Sequence, residues 1–209
     1  MAEPLSGIIL AGGGSRRLGT DKAKLTFGGR TLLEIIVDRL SSVCQKIVVA
    51  TGPRSTQDIT KLNLQVVEDN VPGAGPLAGV QAGLTATTTE FSLVVACDMP
   101  FLSRDLLEYM AGLPRRYQAL VPLAADGWHP LHAVYARSSL PAVEALLGQG
   151  IYSMEELRSR LRVQALSEEE LHQHDPHGLS LFNLNNSQDL ARAQAIWKQR
   201  ASKTRARSG

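Results

Sequence analysis

Cysteine is scarce in this 209-residue chain, which has only Cys44 and Cys97. Two thiols cannot build a disulfide framework, and their spacing is not that of a metal-ligand pair. Their apolar surroundings predict buried free thiols in a reducing compartment, and hence a cytoplasmic protein. Long hydrophobic runs are missing too; none approaches the ~18 residues that span a bilayer. Met1-Ala2-Glu3-Pro4-Leu5-Ser6 has no basic segment ahead of its apolar stretch, which argues against a signal peptide and for a first core strand. Repeats, low-complexity tracts and linkers are absent, so a single domain over residues 1–197 is expected. Acidic residues are lacking in the last stretch, where Lys198, Arg200, Lys203, Arg205 and Arg207 outnumber the whole chain's net charge of +2. The remainder is therefore net acidic. With no interleaved aromatics, residues 198–209 read as a frayed, solvated basic tail rather than a nucleic-acid arm. Neither nucleic acid nor a membrane is an expected partner.

What is present is the balance of a soluble globular protein, 44% hydrophobic and 20% charged. Short apolar runs at Leu5–Leu10, Lys46–Thr51, Leu64–Val67 and Phe91–Cys97 read as buried strands, and such continuous runs suit a parallel sheet covered on both faces. Between the first two, Leu32, Leu33, Ile36, Leu40 and Val43 recur at helical spacing within Thr31–Val43. A further helix is predicted from Pro76, and another capped by Ser103. The β-α-β-α-β-α-β order implies a single-domain, three-layer, Rossmann-like α/β/α fold with right-handed crossovers. The second half departs from this alternation. Gln118–Pro122 and Leu131–Ala136 read as strands joined by the polar excursion Ala124–Pro130, an irregular or antiparallel part of the sheet. Helices follow at Ser138–Leu147 and Ser153–Leu161, then a strand near Arg162–Leu166 and a last helix capped by Ser187 and running to about Lys198.

The strongest signal is Leu10-Ala11-Gly12-Gly13-Gly14-Ser15-Arg16-Arg17-Leu18-Gly19-Thr20-Asp21-Lys22. A glycine-rich turn leaving a central strand lets backbone amides approach a polyphosphate without a Cβ in the way. It is not a P-loop, because Thr20 stands where the lysine would follow Gly19, nor a dinucleotide fingerprint, because Arg17 replaces the third glycine. What remains is a glycine loop with two arginines and a lysine, a cation density suited to a triphosphate and an anionic acceptor. The bland alternative is a tight turn with incidental surface cations, against which stands the entropy cost of three consecutive glycines.

This loop resembles the signature of the molybdenum cofactor guanylyltransferase family, one of the α/β nucleotidyltransferases, with Leu18 where methionine is more usual. Three further segments fit in order. These are Asp69 with Pro72-Gly73-Ala74-Gly75-Pro76-Leu77-Ala78-Gly79, then Cys97-Asp98-Met99-Pro100-Phe101, then Phe182-Asn183-Leu184-Asn185-Asn186-Ser187-Gln188-Asp189-Leu190. The resemblance implies that Leu10, Ala11, Gly12, Gly13, Lys22, Thr51, Asp69 and Asp98 bind the nucleotide. Thr51 stands where the family often has an asparagine. Asp98 is assigned to Mg²⁺, which favours one or two carboxylates plus phosphate oxygens and water; otherwise it is a turn cap. Asp69 serves either the guanine edge or the ribose, or else only the turn before Pro72. Arg16, His129, Asn183 and Asn185 are expected on the acceptor side, the two asparagines sharing one face of an extended segment or acting as Asx turns. His172, His174 and His177 look like a metal tract only superficially, and a solvated acidic loop is the simpler reading.

The reaction so implied is transfer of GMP from GTP to the terminal phosphate of molybdopterin, with release of pyrophosphate and with Lys22, Arg17 and Asp98 as the catalytic groups. GTP, molybdopterin and molybdoenzyme maturation proteins are the implied partners, and Mg²⁺ the cofactor. Three alternatives stay open. One is a CTP-using sibling, whose loop tends to carry alanine where this chain has Gly13. The others are a sugar-phosphate nucleotidyltransferase and a non-catalytic protein that binds GTP and delivers cofactor.

Overall fold

The structure, a computed structural model, describes residues 3–11, 25–52, 62–69, 71 and 73–207. Strand β1 (Leu5–Leu10) is buried along its whole length. It pairs in parallel with β4 (Lys46–Thr51) on one side and β6 (Phe91–Ala96) on the other. A short antiparallel hairpin, β2 (Thr26–Phe27) and β3 (Arg30–Thr31), leads into α1 (Leu32–Leu40). Thr31 caps α1 in a reciprocal box with Glu34, whose backbone N–H donates to Thr31 Oγ1 while the Glu34 carboxylate accepts from Thr31 N–H at 2.6 Å. These local bonds lower the pKa of Glu34.

Strand β5 (Gln65–Glu68) adds in parallel outside β4. The chain then enters α2 (Pro76–Ala86). Gly75, at φ 62° and ψ −146°, takes a backbone conformation open essentially to glycine, and Pro76 is preset for the first helical turn. The helix lies close on β1: a Cβ on Gly83 would come within 2.5 Å of Ile8 Cγ2, and one on Gly79 within 3.0 Å of Leu10 Cδ2.

Helix α3 (Arg104–Gly112) follows β6, with Ser103 as its cap. Strand β7 (Ala119–Ala124) then runs out to the carboxyl edge, turns back through β8 (Gly127–Trp128), and is followed by β9 (His132–Ala136). Strand β9 inserts antiparallel between β7 and β6. After a 3₁₀ turn come α4 (Leu140–Gly148), α5 (Met154–Arg160), β10 (Val163–Leu166), α6 (Glu168–His174) and α7 (Ser187–Arg207). The sheet order is β10-β7-β9-β6-β1-β4-β5, and along it only β9 opposes the rest.

Strand alternation divides the interior into two cores. Leu5 and Ile9 face the layer of α1, α3, α6 and α7, whereas Ile8 and Leu10 face α2, α4 and α5. Each fully buried aliphatic side chain contributes about 1.5–3 kcal/mol of transfer free energy. The expected three-layer α/β/α architecture is therefore present, with its antiparallel element in the second half.

Three details differ from the sequence expectation. The cap of α7 is Asn186, whose Oδ1 accepts from Gln188 N–H and Asp189 N–H at 2.9 Å each, while Asp189 Oδ2 accepts in return from Asn186 N–H at 3.1 Å. That reciprocal geometry places the cap one residue before Ser187. The helix also runs to Arg207, past Lys198. Tertiary contacts hold its middle turns: Trp197 packs on Phe27 and Phe101 at 5.5 and 6.2 Å between ring centroids, and the Arg200 guanidinium lies 5.6 Å from the Phe101 centroid. Cys44 and Cys97 are half-buried rather than enclosed, although burial pushes the Cys44 thiol up to about 12. Among the described residues no helix is long and apolar enough to cross a membrane.

Candidate active site

In an open α/β sheet the carboxyl ends of the strands form the natural crevice for ligands. A continuous run of backbone hydrogen bonds follows that edge here. Asp69 N–H donates to Thr51 O at 2.9 Å, Ala11 N–H to Ala50 O at 2.8 Å, and Cys97 N–H to Leu10 O at 3.0 Å. The run continues with Ala96 N–H to Leu131 O at 3.0 Å and Leu184 N–H to Asp98 O at 3.0 Å. Leu10, Ala11, Thr51, Asp69 and Asp98 are thereby set along one edge. Because β9 runs backwards, its start also lies there, which brings the 129–132 excursion beside the end of β6. The segment carrying Asn183 and Asn185 joins through Leu184. Gly12, Gly13, Arg16, Arg17 and Lys22 lie outside the described residues.

Asp69 and Asp98 leave the sheet from β5 and β6, three strand spacings apart, or about 14 Å. One Mg²⁺ with bonds of about 2.0–2.1 Å does not bridge that gap, so the two carboxylates serve different parts of a ligand. Burial and then the neighbouring Glu68 raise the pKa of Asp69. A single half-buried carboxylate at Asp98 fits Mg²⁺, an ion that takes most of its remaining ligands from phosphate and water. Among the described residues no group of three or more histidines, cysteines or carboxylates could hold a metal by itself.

Thr51 is fully buried at the end of β4, and its hydroxyl has no hydrogen-bond partner among the described residues. The N-terminus of α2 faces the same edge without a side-chain cap, leaving backbone N–H groups for an anion. Asn183 is half-buried and its amide donates to Leu181 O at 3.1 Å, whereas Asn185 is exposed. The two lie in an irregular segment rather than a strand, on either side of the wholly buried Leu184.

The His129 ring is tied to Asp126 through Nε2 at 2.8 Å, a hydrogen bond that holds the Asp126 carboxyl below its usual value. Beside it, the Arg158 guanidinium covers the Trp128 ring at 4.5 Å. His172 and His174 belong to α6 rather than to a loop, and the His174 ring stacks on Tyr109 with centroids 3.9 Å apart.

Sequence reasoning missed His132. It is wholly buried at the start of β9, neither ring nitrogen has a hydrogen-bond partner among the described residues, and desolvation, with help from His129, lowers its pKa to about 3. Its place on the buried face could be read from alternation with Val134 and Ala136 once β9 was known to be interior. Nothing local signalled that.

A doubly covered, mostly parallel sheet whose first strand leads into a glycine-rich sequence, with a carboxylate after β6 and an uncapped helix N-terminus at one edge, has the make-up of a nucleotidyltransferase-type α/β protein. A family model described as a MobA-like NTP transferase domain matches residues 7–166. The molybdenum cofactor guanylyltransferase of Desulfosudis oleivorans is 34% identical over 198 residues, covering 94% of this chain and 97% of that protein. A probable molybdenum cofactor guanylyltransferase of Chloroflexus aggregans is 37% identical over 202 residues, covering 91% and 94%. Among solved structures, molybdopterin-guanine dinucleotide biosynthesis protein A of Archaeoglobus fulgidus superposes with a TM-score of 0.80 at 30% identity, covering 93% of this chain and 99% of that one. The chain belongs to the MobA-like nucleotidyltransferase family.

Proposed function

We propose that this enzyme transfers GMP from GTP to the terminal phosphate of molybdopterin. A phosphate oxygen of the acceptor attacks the α-phosphorus, the bond to the β-phosphate breaks, and pyrophosphate leaves with the electron pair. No protein nucleophile is required, because the acceptor phosphate is already ionised near neutral pH. The protein aligns the reactants and offsets charge.

Leu10, Ala11, Gly12 and Gly13 lie along the nucleotide. Asp69 and Thr51 serve its base or ribose, three and two strand spacings from the β6 end that carries Asp98. Asp98 holds Mg²⁺, whose charge when bound favours the leaving group. Lys22 and Arg17 meet the charge that grows on pyrophosphate, and Arg16, His129, Asn183 and Asn185 meet the acceptor. The observation that carries this reading is the hydrogen-bonded edge that aligns Asp69, Thr51, Ala11, Asp98 and Leu184 in one row.

The test is pyrophosphate release with Mg²⁺, molybdopterin and each NTP in turn. Release with GTP alone is the expected result. Release with CTP assigns the protein to the cytidylyl sibling, and none with any NTP makes it a binding protein.

A further inference from the structure

The acceptor side of the edge is held by a buried polar latch that the chemistry does not use. Beyond Asp98 the chain turns through Met99–Leu102 into α3, and a single later segment grips this turn at both ends. At the near end Leu184 N–H donates to Asp98 O at 3.0 Å. At the far end Ser103 N–H donates to Ser180 Oγ at 3.0 Å, and the Ser103 hydroxyl donates to His174 O, also at 3.0 Å. Ser180 is held in turn, since its N–H donates to Asp175 Oδ2 at 2.6 Å, and Gly178 N–H closes the loop on Asp175 O at 2.8 Å. Ser180 is 0% exposed and Asp175 8%. Between the two grips the rings of Phe101 and Phe182 pack at 5.9 Å.

Burying a carboxylate and a hydroxyl is costly unless both are bonded, and apolar residues would fill the same space at less cost. What the polar version adds is direction, because each bond fixes one register between the two segments.

We infer that Ser180, with Asp175 behind it, is a positioning residue that sets the Asn183–Asn185 strap against the Asp98 turn, so that the acceptor and metal sides of the site keep one spacing. What each side binds rests on the proposed function; the latch itself does not.

The experiment combines amide hydrogen exchange with steady-state kinetics on the full chain carrying Ser180→Ala, Asp175→Ala or Asp175→Asn. Loss of one buried hydrogen bond corresponds to about tenfold in an equilibrium. Exchange at the Leu184 and Ser103 amides is therefore expected to quicken about tenfold in Ser180→Ala and Asp175→Ala. The KM for molybdopterin should rise by a similar factor while that for GTP stays put. Asp175→Asn keeps an acceptor oxygen for Ser180 N–H and should restore both readouts.

If Ser180→Ala does not fold, Ser180→Cys, whose sulfur accepts only weakly from Ser103 N–H, is read in the same way with a smaller expected change. Wild-type exchange at Leu184 in the alanine variants overturns the inference, as does a parallel change in both KM values. A wild-type protein that releases no pyrophosphate tells against the proposed function alone, since exchange judges the latch without any substrate.

Discussion

Consider lowering the pH from 7 to 5. His132 is neutral in the folded chain, with its pKa pushed down to about 3 by burial first and by His129 second, and both ring nitrogens without a partner among the described residues. In the unfolded chain the same ring titrates near its ordinary value of about 6.5. Between those two values the unfolded state binds the extra proton. The contribution of neutral His132 is therefore complete above about pH 6.5 and is lost as pH falls toward 3. At pH 5 the gap is about 1.5 units, which at 1.36 kcal/mol per unit amounts to about 2 kcal/mol of lost stability. For a domain of this size that is a fall in Tm of roughly 4–8 °C. Carboxylates with lowered values, such as Glu34, Asp126 and Glu170, act in the same direction but chiefly at lower pH. The comparison that isolates His132 is urea unfolding of wild type and of His132→Leu at pH 7, 6 and 5, with His132→Gln as a second variant closer in shape and polarity. The stability difference between wild type and variant should shift by about 2 kcal/mol across that range, to the variant's advantage in acid. Parallel pH dependence in wild type and both variants would refute the reasoning.

Two further outcomes are expected. Asp98→Ala and Lys22→Ala should lose turnover by orders of magnitude in the pyrophosphate assay, and Asp98→Ala should keep its fold, because the bond to Leu184 uses the Asp98 backbone carbonyl and not its side chain. Near-normal activity of Asp98→Ala with Mg²⁺ and GTP would end the metal assignment. Gly83→Ala should destabilise the protein by about 1–3 kcal/mol, since the added methyl meets Ile8 at 2.5 Å in a core with no room to yield; denaturant unfolding reads this directly.

Local chemistry was sufficient for much of the framework. β1 and β4 have the bounds read from their apolar runs, Ser103 caps the helix expected of it, and Pro76 opens α2. These features depend on residues within one or two turns of each other, where spacing and side-chain type carry nearly all the free energy. The assignment of Asp69 and Asp98 to one edge was legible for a related reason, because both follow strands of the same direction. The exact cap of α7 was harder, since Asn186 and Ser187 are both good caps and the reciprocal bonds between Asn186 and the first turn decide between them.

Tertiary structure decided everything that joins distant residues. The insertion of β9 between β7 and β6, which delivers the 129–132 excursion to the site, is a choice of strand partner, and an alternating pattern does not name its partner. The latch between Ser103 and Ser180 spans 77 residues, and around Lys198 helix α7 rests on Phe27 and Phe101 through Trp197 and Arg200. His132 carries no mark of its burial in its own neighbourhood along the chain. Periodicity reports which side of an element is apolar; which surface covers that side is settled only when the whole chain closes around it.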